Sequence, residues 1–197
     1  MATDKDIETN PPVNVDDEEQ FDTLGVATIA AGHAVHDTYS GFLAPMLPEL
    51  IAKYGLSTTQ AGALSLFMQW PSLLQPYIGY LADHLTLRYF VILAPAITAT
   101  MMSLLGLAPS YLVMIMFLVV AGISSAGIHS TAPVMAGRLS GRNLGKGMGF
   151  WMLGGEVGRT LGPLIIVGAI SLWGLGGTAW LMIGGWLASA VLYIRLK

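Results

Sequence analysis

The chain has 197 residues, of which 54% are hydrophobic and only 11% are charged. Soluble domains carry about 25% charged residues, so this composition excludes an ordinary soluble enzyme, a basic nucleic-acid-binding protein and a disordered chain. The absence of cysteine excludes disulfide scaffolds, thiolate metal sites and cysteine nucleophiles.

The first 22 residues form a strongly acidic segment with eight acidic residues, one basic residue and a net charge of −7. Such a segment, with Pro11 and Pro12 and few apolar residues, is typical of a disordered tail. It lacks the basic start and apolar centre of a signal peptide. We therefore predict an acidic cytoplasmic tail over residues 1–22 and a transmembrane domain over residues 23–197.

Long runs without Asp, Glu, Lys or Arg follow the tail, at residues 54–82, 89–137 and 160–194. A bilayer span needs about 20 apolar residues, so the second run is long enough for two spans. The pattern predicts an all-α membrane protein with six transmembrane helices. Their approximate bounds are Leu24–Leu50, Ser57–Leu81, Arg88–Leu107, Tyr111–Ala136, Leu144–Leu172 and Gly176–Ile194.

Short sequence patterns predict where the second helix begins and where it is kinked. Ser57 followed by Gln60 predicts a capping box at its start. Pro71 and Pro76 lie inside it, where membrane helices tolerate kinks if neighbouring groups satisfy the freed carbonyls.

The distribution of lysine and arginine predicts the orientation. With the N-terminus inside, the inner segments carry seven basic residues and the outer segments carry only Lys53. This positive-inside bias places both termini in the cytoplasm and the protein in a cytoplasmic (inner) membrane. The seven are Lys5, Arg88, Arg138, Arg142, Lys146, Arg195 and Lys197.

Ionisable residues inside the predicted spans are the candidate functional residues, because charges within a bilayer are costly. The first helix carries His33, His36 and Asp37, the fourth carries His129, and the fifth carries Glu156 and Arg159. This distribution predicts that helices 1, 4 and 5 line a cavity. Helical spacing places His33, His36, Asp37, Ser40, Gly41 and Ala44 on one face.

Asp37 between two imidazoles is a candidate proton carrier, and the alternative is a polar stripe that satisfies itself. Glu156 and Arg159 are spaced to form an ion pair, which is structural or orients an anionic substrate. His129 lies among small residues, and two interpretations remain open: a packed core residue or a residue that lines the cavity.

We predict no metal site, because no second ligand cluster lies near the first-helix group in sequence. No cofactor is predicted.

Three motifs resemble the major facilitator superfamily. Residues 79–88 are similar to its G-x-L-A-D-R-x-G-R-R loop, keeping Gly79, Asp83 and Arg88 but with His84 and Thr86 at positions where Arg and Gly are usual. Gly158, Gly162 and Pro163 resemble the G-x-x-x-G-P part of an antiporter motif, without its trailing glycine pair. Residues 33–48 resemble the H-x-x-x-D-x-Y-x-G-F-L-x-P-L-L-P pattern of the fosmidomycin-resistance-like branch.

This resemblance implies the N-terminal six-helix half of a transporter, built as a 3+3 inverted repeat. It implies an inner-side charge latch that uses Asp83 and Arg88. The expected function is transport of a small organic solute, as proton-coupled efflux, together with a second six-helix half or a second copy. The alternatives are a non-transporting scaffold or accessory subunit and an inactive fragment. An enzyme is not expected, because neither a paired nucleophile nor a metal cluster is evident.

Overall fold

The computed structural model describes residues 20–84 and 88–197, and within them it leaves the side chains of residues 82–84 undescribed. All regular elements in these ranges are helices, which confirms the predicted all-α class. The α-helices are α1 (Thr23–Ser40), α2 (Leu43–Tyr54), α3 (Thr58–Gln69), α4 (Gln75–His84), α5 (Arg88–Ser103), α6 (Tyr111–Leu139), α7 (Leu144–Gly177) and α8 (Met182–Leu196). Short 3₁₀ turns occupy Trp70–Leu74, Leu105–Leu107 and Thr178–Leu181.

The acidic tail lies outside the described residues up to residue 19. Its last member, Asp22, caps α1, because its carboxylate accepts a hydrogen bond from the Gly25 N–H at 2.9 Å. The Asp22 N–H also donates to the Leu139 carbonyl at 2.9 Å. The start of α1 is therefore attached to the end of α6.

The predicted first helix is two helices, α1 and α2, separated at Gly41 and Phe42. Pro45 explains the break, since it has no N–H to donate to the Gly41 carbonyl and its ring would collide with that carbonyl in a continuous helix. It lies in the first turn of α2, where the missing N–H costs little. The α2 helix then continues beyond the predicted end at Leu50 as far as Tyr54.

The predicted second helix begins as expected and is interrupted in its middle. The Ser57 hydroxyl accepts from the Gln60 N–H at 3.2 Å, and the Gln60 side chain accepts from the Ser57 N–H at 2.9 Å, which confirms the capping box. The 3₁₀ turn at Trp70–Leu74 contains Pro71 and separates α3 from α4.

Among the described residues, three helical stretches are long and apolar enough to cross a bilayer: Arg88–Leu107, Tyr111–Leu139 and Leu144–Leu196. The last has 53 residues, more than twice the roughly 20 that one span needs. Gly174 breaks it, with a φ of 68° that favours glycine. The segments from α1 to α4 do not meet this criterion as unbroken helices, so the count of six spans stays a prediction.

The surface is rich in large apolar side chains. Leu73, Leu172, Trp180 and Ile194 are between 70% and 77% exposed. Large apolar side chains exposed in such number are unusual on soluble monomers. Their exposure fits a protein whose outer face contacts lipid.

Two apolar cores flank the middle of α1. One contains Ile29, Ile128 and Trp151, and the other contains Phe42, Met102 and Leu118. The polar residues of α1 lie between these cores. The fold therefore places the candidate site inside the helical bundle rather than on a loop.

Candidate functional site

The middle of α1 carries three buried polar side chains. His33, His36 and Asp37 are each at most 3% exposed. His33 and Asp37 are one helical turn apart, and their Nε2 and Oδ2 atoms are 3.3 Å apart. The helix ends at Ser40 with Gly41 as its C-cap, whose N–H donates to the Asp37 carbonyl at 3.0 Å, and Ala44 belongs to α2.

The α6 helix brings a second imidazole to the same carboxylate. His129 Nε2 lies 3.5 Å from Asp37 Oδ1 and 3.3 Å from His33 Nε2. Each carboxylate oxygen of Asp37 therefore faces a different imidazole. This contact joins two of the three helices that the sequence predicts to line a cavity.

Backbone carbonyls fix the orientation of both imidazoles. His33 Nδ1 donates to the Trp151 carbonyl at 2.9 Å, and His129 Nδ1 donates to the Ser125 carbonyl at 2.9 Å. A carbonyl accepts only, so in each ring the Nδ1 atom carries the hydrogen. In their neutral forms both rings then present an unprotonated Nε2 toward Asp37.

Trp151 of α7 supports His33 in a second way. Its indole stacks on the His33 ring with centroids 3.5 Å apart and planes inclined by 9°. Trp151 itself is buried. One residue thus fixes the position of His33 through its ring and through its carbonyl.

Arg159 of α7 connects Asp37 to Glu156. Its Nη1 donates to Asp37 Oδ2 at 3.2 Å, and its Nη2 donates to Glu156 Oε1. The Arg159 side chain is 54% exposed and that of Glu156 is 65% exposed, whereas Asp37 is buried. The predicted Glu156–Arg159 pair is therefore present, and the contact of Arg159 with Asp37 is an addition to it. We call Asp37, His33, His129 and Arg159 the Asp37 cluster.

His36 lies beside this cluster, and its ring points elsewhere. Its Nε2 is 3.3 Å from the Ser40 hydroxyl, while its buried Nδ1 has no hydrogen-bond partner. Its ring centroid is 5.6 Å from that of His129. Of the two histidines predicted on α1, His33 is therefore the one whose imidazole contacts Asp37.

The profile of the Major Facilitator Superfamily matches residues 29–197 of the chain. The chain belongs to the Major Facilitator Superfamily. It is 29% identical over 173 residues to the fosmidomycin resistance protein of Escherichia coli (strain K12), covering 87% of the chain and 42% of that relative. It is 27% identical over 151 residues to the uncharacterized MFS-type transporter YfnC of Bacillus subtilis (strain 168), covering 75% of the chain and 36% of that relative. No solved structure matches the chain.

Membership of the Major Facilitator Superfamily confirms the predicted resemblance. Together with the apolar helices, it shows a multi-pass membrane protein. The chain spans about two-fifths of the length of the curated relatives that it matches.

The superfamily loop motif is described only in part. Gly79 lies in α4 and Arg88 begins α5, with its guanidinium 5.4 Å from the Tyr89 ring centroid. The side chain of Asp83 lies outside the described groups, as do residues 85–87. The latch assigned to Asp83 and Arg88 therefore stays a prediction.

The glycines of the antiporter-like motif lie where α7 packs against α1. A Cβ at Gly158 would collide with the Ala34 carbonyl oxygen, and one at Gly162 would collide with the Thr38 carbonyl oxygen. These glycines let the two backbones approach closely. Pro163 follows them inside α7. The close approach carries Arg159 to Asp37.

The sequence analysis did not select Trp151 or Ser125. Trp151 lies four residues before Gly155 and seven before Gly158, so helical spacing places it on the glycine face of α7. Ser125 lies one turn before His129. The sequence carries no signal for the backbone carbonyls of these residues, nor for the stacking of the Trp151 ring on His33.

Proposed function

We propose that the chain forms the N-terminal half of an exporter that moves a small organic solute out of the cell in exchange for protons. The observation that carries the proposal is the buried Asp37 carboxylate, with His33 Nε2, His129 Nε2 and Arg159 Nη1 within 3.2–3.5 Å. Ionisable groups inside a membrane domain commonly serve ion and substrate pathways. The relation to a fosmidomycin resistance protein supports the outward direction.

In this proposal Asp37 is the proton carrier. A carboxylate that contacts two imidazoles and a guanidinium can exchange a proton while a nearby group compensates the change in charge. His33 and His129 hold and orient that proton, because both of their Nε2 atoms face the carboxylate. His36 is a neighbouring cavity residue.

Arg159 and Glu156 form the substrate-facing side of the site. Both side chains are more than half exposed, and both lie on the side of α7 next to Asp37. A guanidinium is suited to bind an anionic group of a solute through paired N–H donors. A solute that draws Arg159 away from Asp37 would then couple substrate binding to the proton site.

A complete transport path requires a second set of helices. The chain spans 42% of the fosmidomycin resistance protein, and superfamily transporters consist of two related six-helix halves around a central site. We propose six spans arranged as a 3+3 inverted repeat, paired with a second half or a second copy. The latch residues Asp83 and Arg88 would then meet that partner at the inner surface.

The experiment uses the full chain in proteoliposomes with an inward proton gradient and fosmidomycin as the probe. We expect fosmidomycin to cause proton flux, measured with a pH-sensitive dye. The Asp37→Asn variant should reduce that flux to the level of empty liposomes, because an amide cannot exchange the proton. The control is Glu49→Gln, which removes an exposed carboxylate from α2.

Unchanged flux in the Asp37→Asn variant would rule out the carrier role. Native mass spectrometry of the same preparation tests the partner. A homodimer or a complex with a second polypeptide supports the proposal. A lone monomer without flux would favour the alternatives, an accessory subunit or an inactive fragment.

A further inference from the structure

We propose that His33, Asp37 and His129 form a binding site for a divalent transition-metal ion of the zinc class. Each offers one ligand atom, and the three atoms lie within 4.8 Å of one another. A metal site was not predicted from the sequence, because α1 alone supplies only one cluster of ligands. The fold supplies the missing ligand from α6.

The separation of the two imidazole nitrogens matches that in a tetrahedral site. His33 Nε2 and His129 Nε2 are 3.3 Å apart, His33 Nε2 is 3.3 Å from Asp37 Oδ2, and His129 Nε2 is 3.5 Å from Asp37 Oδ1. Zinc binds nitrogen and oxygen at about 2.0–2.2 Å, so two ligand atoms at the tetrahedral angle are about 3.3–3.5 Å apart. An ion can therefore contact both imidazoles as they stand, and a rotation of the Asp37 carboxylate brings one of its oxygens, now within 4.8 Å of both nitrogens, to the same ion. Water would fill the fourth position.

The hydrogen-bond partners of the two imidazoles are also those expected in a metal site. A histidine that binds a metal through one nitrogen usually donates its other ring N–H to a carbonyl or carboxylate. His33 Nδ1 donates to the Trp151 carbonyl, and His129 Nδ1 donates to the Ser125 carbonyl. In the neutral rings both Nε2 atoms are thereby left unprotonated, and both lie next to Asp37. This arrangement is an observation independent of the distances between the donors.

The chemistry of the donors selects the class of ion. Two imidazoles and one carboxylate suit zinc, cobalt and nickel, whereas magnesium and calcium prefer sites built from oxygen alone. His129 is 29% exposed on its side chain, so an ion can reach the donors from that side.

Arg159 opposes the ion because its guanidinium contacts Asp37 Oδ2 at 3.2 Å. It has a second partner in Glu156, which can retain it when the ion binds. Removal of this competing positive charge should therefore strengthen metal binding. Binding itself needs only the three side chains, so the proposal goes beyond the transport function and does not depend on it.

The test is a titration of the purified full chain, without an oligohistidine tag, in detergent micelles. We expect one Co²⁺ per chain, with the intense visible absorption of a tetrahedral cobalt complex, and displacement of Co²⁺ by Zn²⁺. His129→Gln and Asp37→Asn should each weaken the affinity at least about tenfold. His36→Gln is the matched control and should leave the affinity unchanged, because its Nε2 contacts Ser40 instead.

The Arg159→Gln variant should bind Co²⁺ several-fold more tightly. Misfolding would weaken binding, so it cannot produce this gain in affinity. The proposal is overturned by the absence of one-to-one binding, or by binding that persists in the His129→Gln variant. The absorption of bound Co²⁺ and its displacement by Zn²⁺ both report binding of the ion directly. A failure of fosmidomycin transport therefore leaves this result unaffected.

Discussion

Arg159 supplies the permanent positive charge that compensates the buried Asp37 carboxylate. The carboxylate is buried, and Arg159 is the contacting group that stays charged at every physiological pH. Loss of one partner of a fully buried ion pair costs about 3–5 kcal/mol, and the half-exposed guanidinium of Arg159 reduces this. We expect Arg159→Gln to lower the free energy of unfolding by about 2 kcal/mol.

This prediction is checked by thermal unfolding in detergent micelles, followed by circular dichroism. Glu156→Gln is the matched control and should have a small effect, because Glu156 is 65% exposed and its ion pair is with the same arginine. The double variant Asp37→Asn with Arg159→Gln should recover part of the loss, since it removes the unpaired charge. Equal losses in both single variants would contradict the argument.

At the scale of residues, sequence spacing predicted contacts within a helix and missed contacts between helices. The spacing of Glu156 and Arg159 gave their ion pair correctly. The contacts of Asp37 with His129 and Arg159 could not be predicted in the same way, because periodicity describes one helix at a time. They depend on how closely α1, α6 and α7 approach, which side-chain packing decides.

At the scale of elements, glycines set the distance between α1 and α7. A methyl group at Gly158 would collide with the Ala34 carbonyl oxygen, so Gly158→Ala should force the helices apart. We expect a loss of about 1–3 kcal/mol, which is typical of overpacking. The same shift moves Arg159 away from Asp37, so activity should fall with stability.

The control for this prediction lies on the same helix. Gly168 is exposed, and a Cβ there would meet no atom within 4 Å. Gly168→Ala should therefore be neutral or stabilise the protein by up to about 1 kcal/mol, because alanine favours the helix. Melting temperatures of the two variants in the same micelles provide the comparison. A Gly158→Ala variant as stable as Gly168→Ala would show that the close approach is not required.

The positions of helix breaks were partly predictable. Pro71 was predicted to lie at a tolerated kink, and it lies inside an interruption in the structure. The sequence did not show that Pro45 divides the first segment into two helices, while Pro133 leaves α6 continuous. The difference depends on whether neighbouring groups satisfy the freed carbonyls.

At the scale of the whole molecule, the Asp37 cluster lies between two apolar cores and is exposed only through Arg159 and His129. The buried side of the cluster fixes its geometry, and the exposed side gives access to a solute or ion. Composition predicted this general plan, because the few ionisable residues of the predicted spans were confined to three helices. It could not predict that His33, His129 and Arg159 contact one carboxylate, that of Asp37.

The orientation of the molecule can be tested at the two ends of α6. Its 29 residues extend about 43 Å, enough to place its ends on opposite sides of a bilayer. Arg138 and Lys146 lie near the connection that contains Asn143, whereas the connection that contains Pro109 has no basic residue of its own. The positive-inside rule therefore predicts that Asn143 is cytoplasmic and Pro109 is outside.

Cysteine labelling measures this directly, because the chain has no cysteine and a single introduced thiol gives the only signal. Pro109→Cys and Asn143→Cys both alter exposed residues and form a matched pair. A membrane-impermeant maleimide should label Pro109→Cys in intact cells and Asn143→Cys only after permeabilisation. The reverse pattern would place the basic connection outside, and the N-terminal segment of the proposed exporter would then be extracellular.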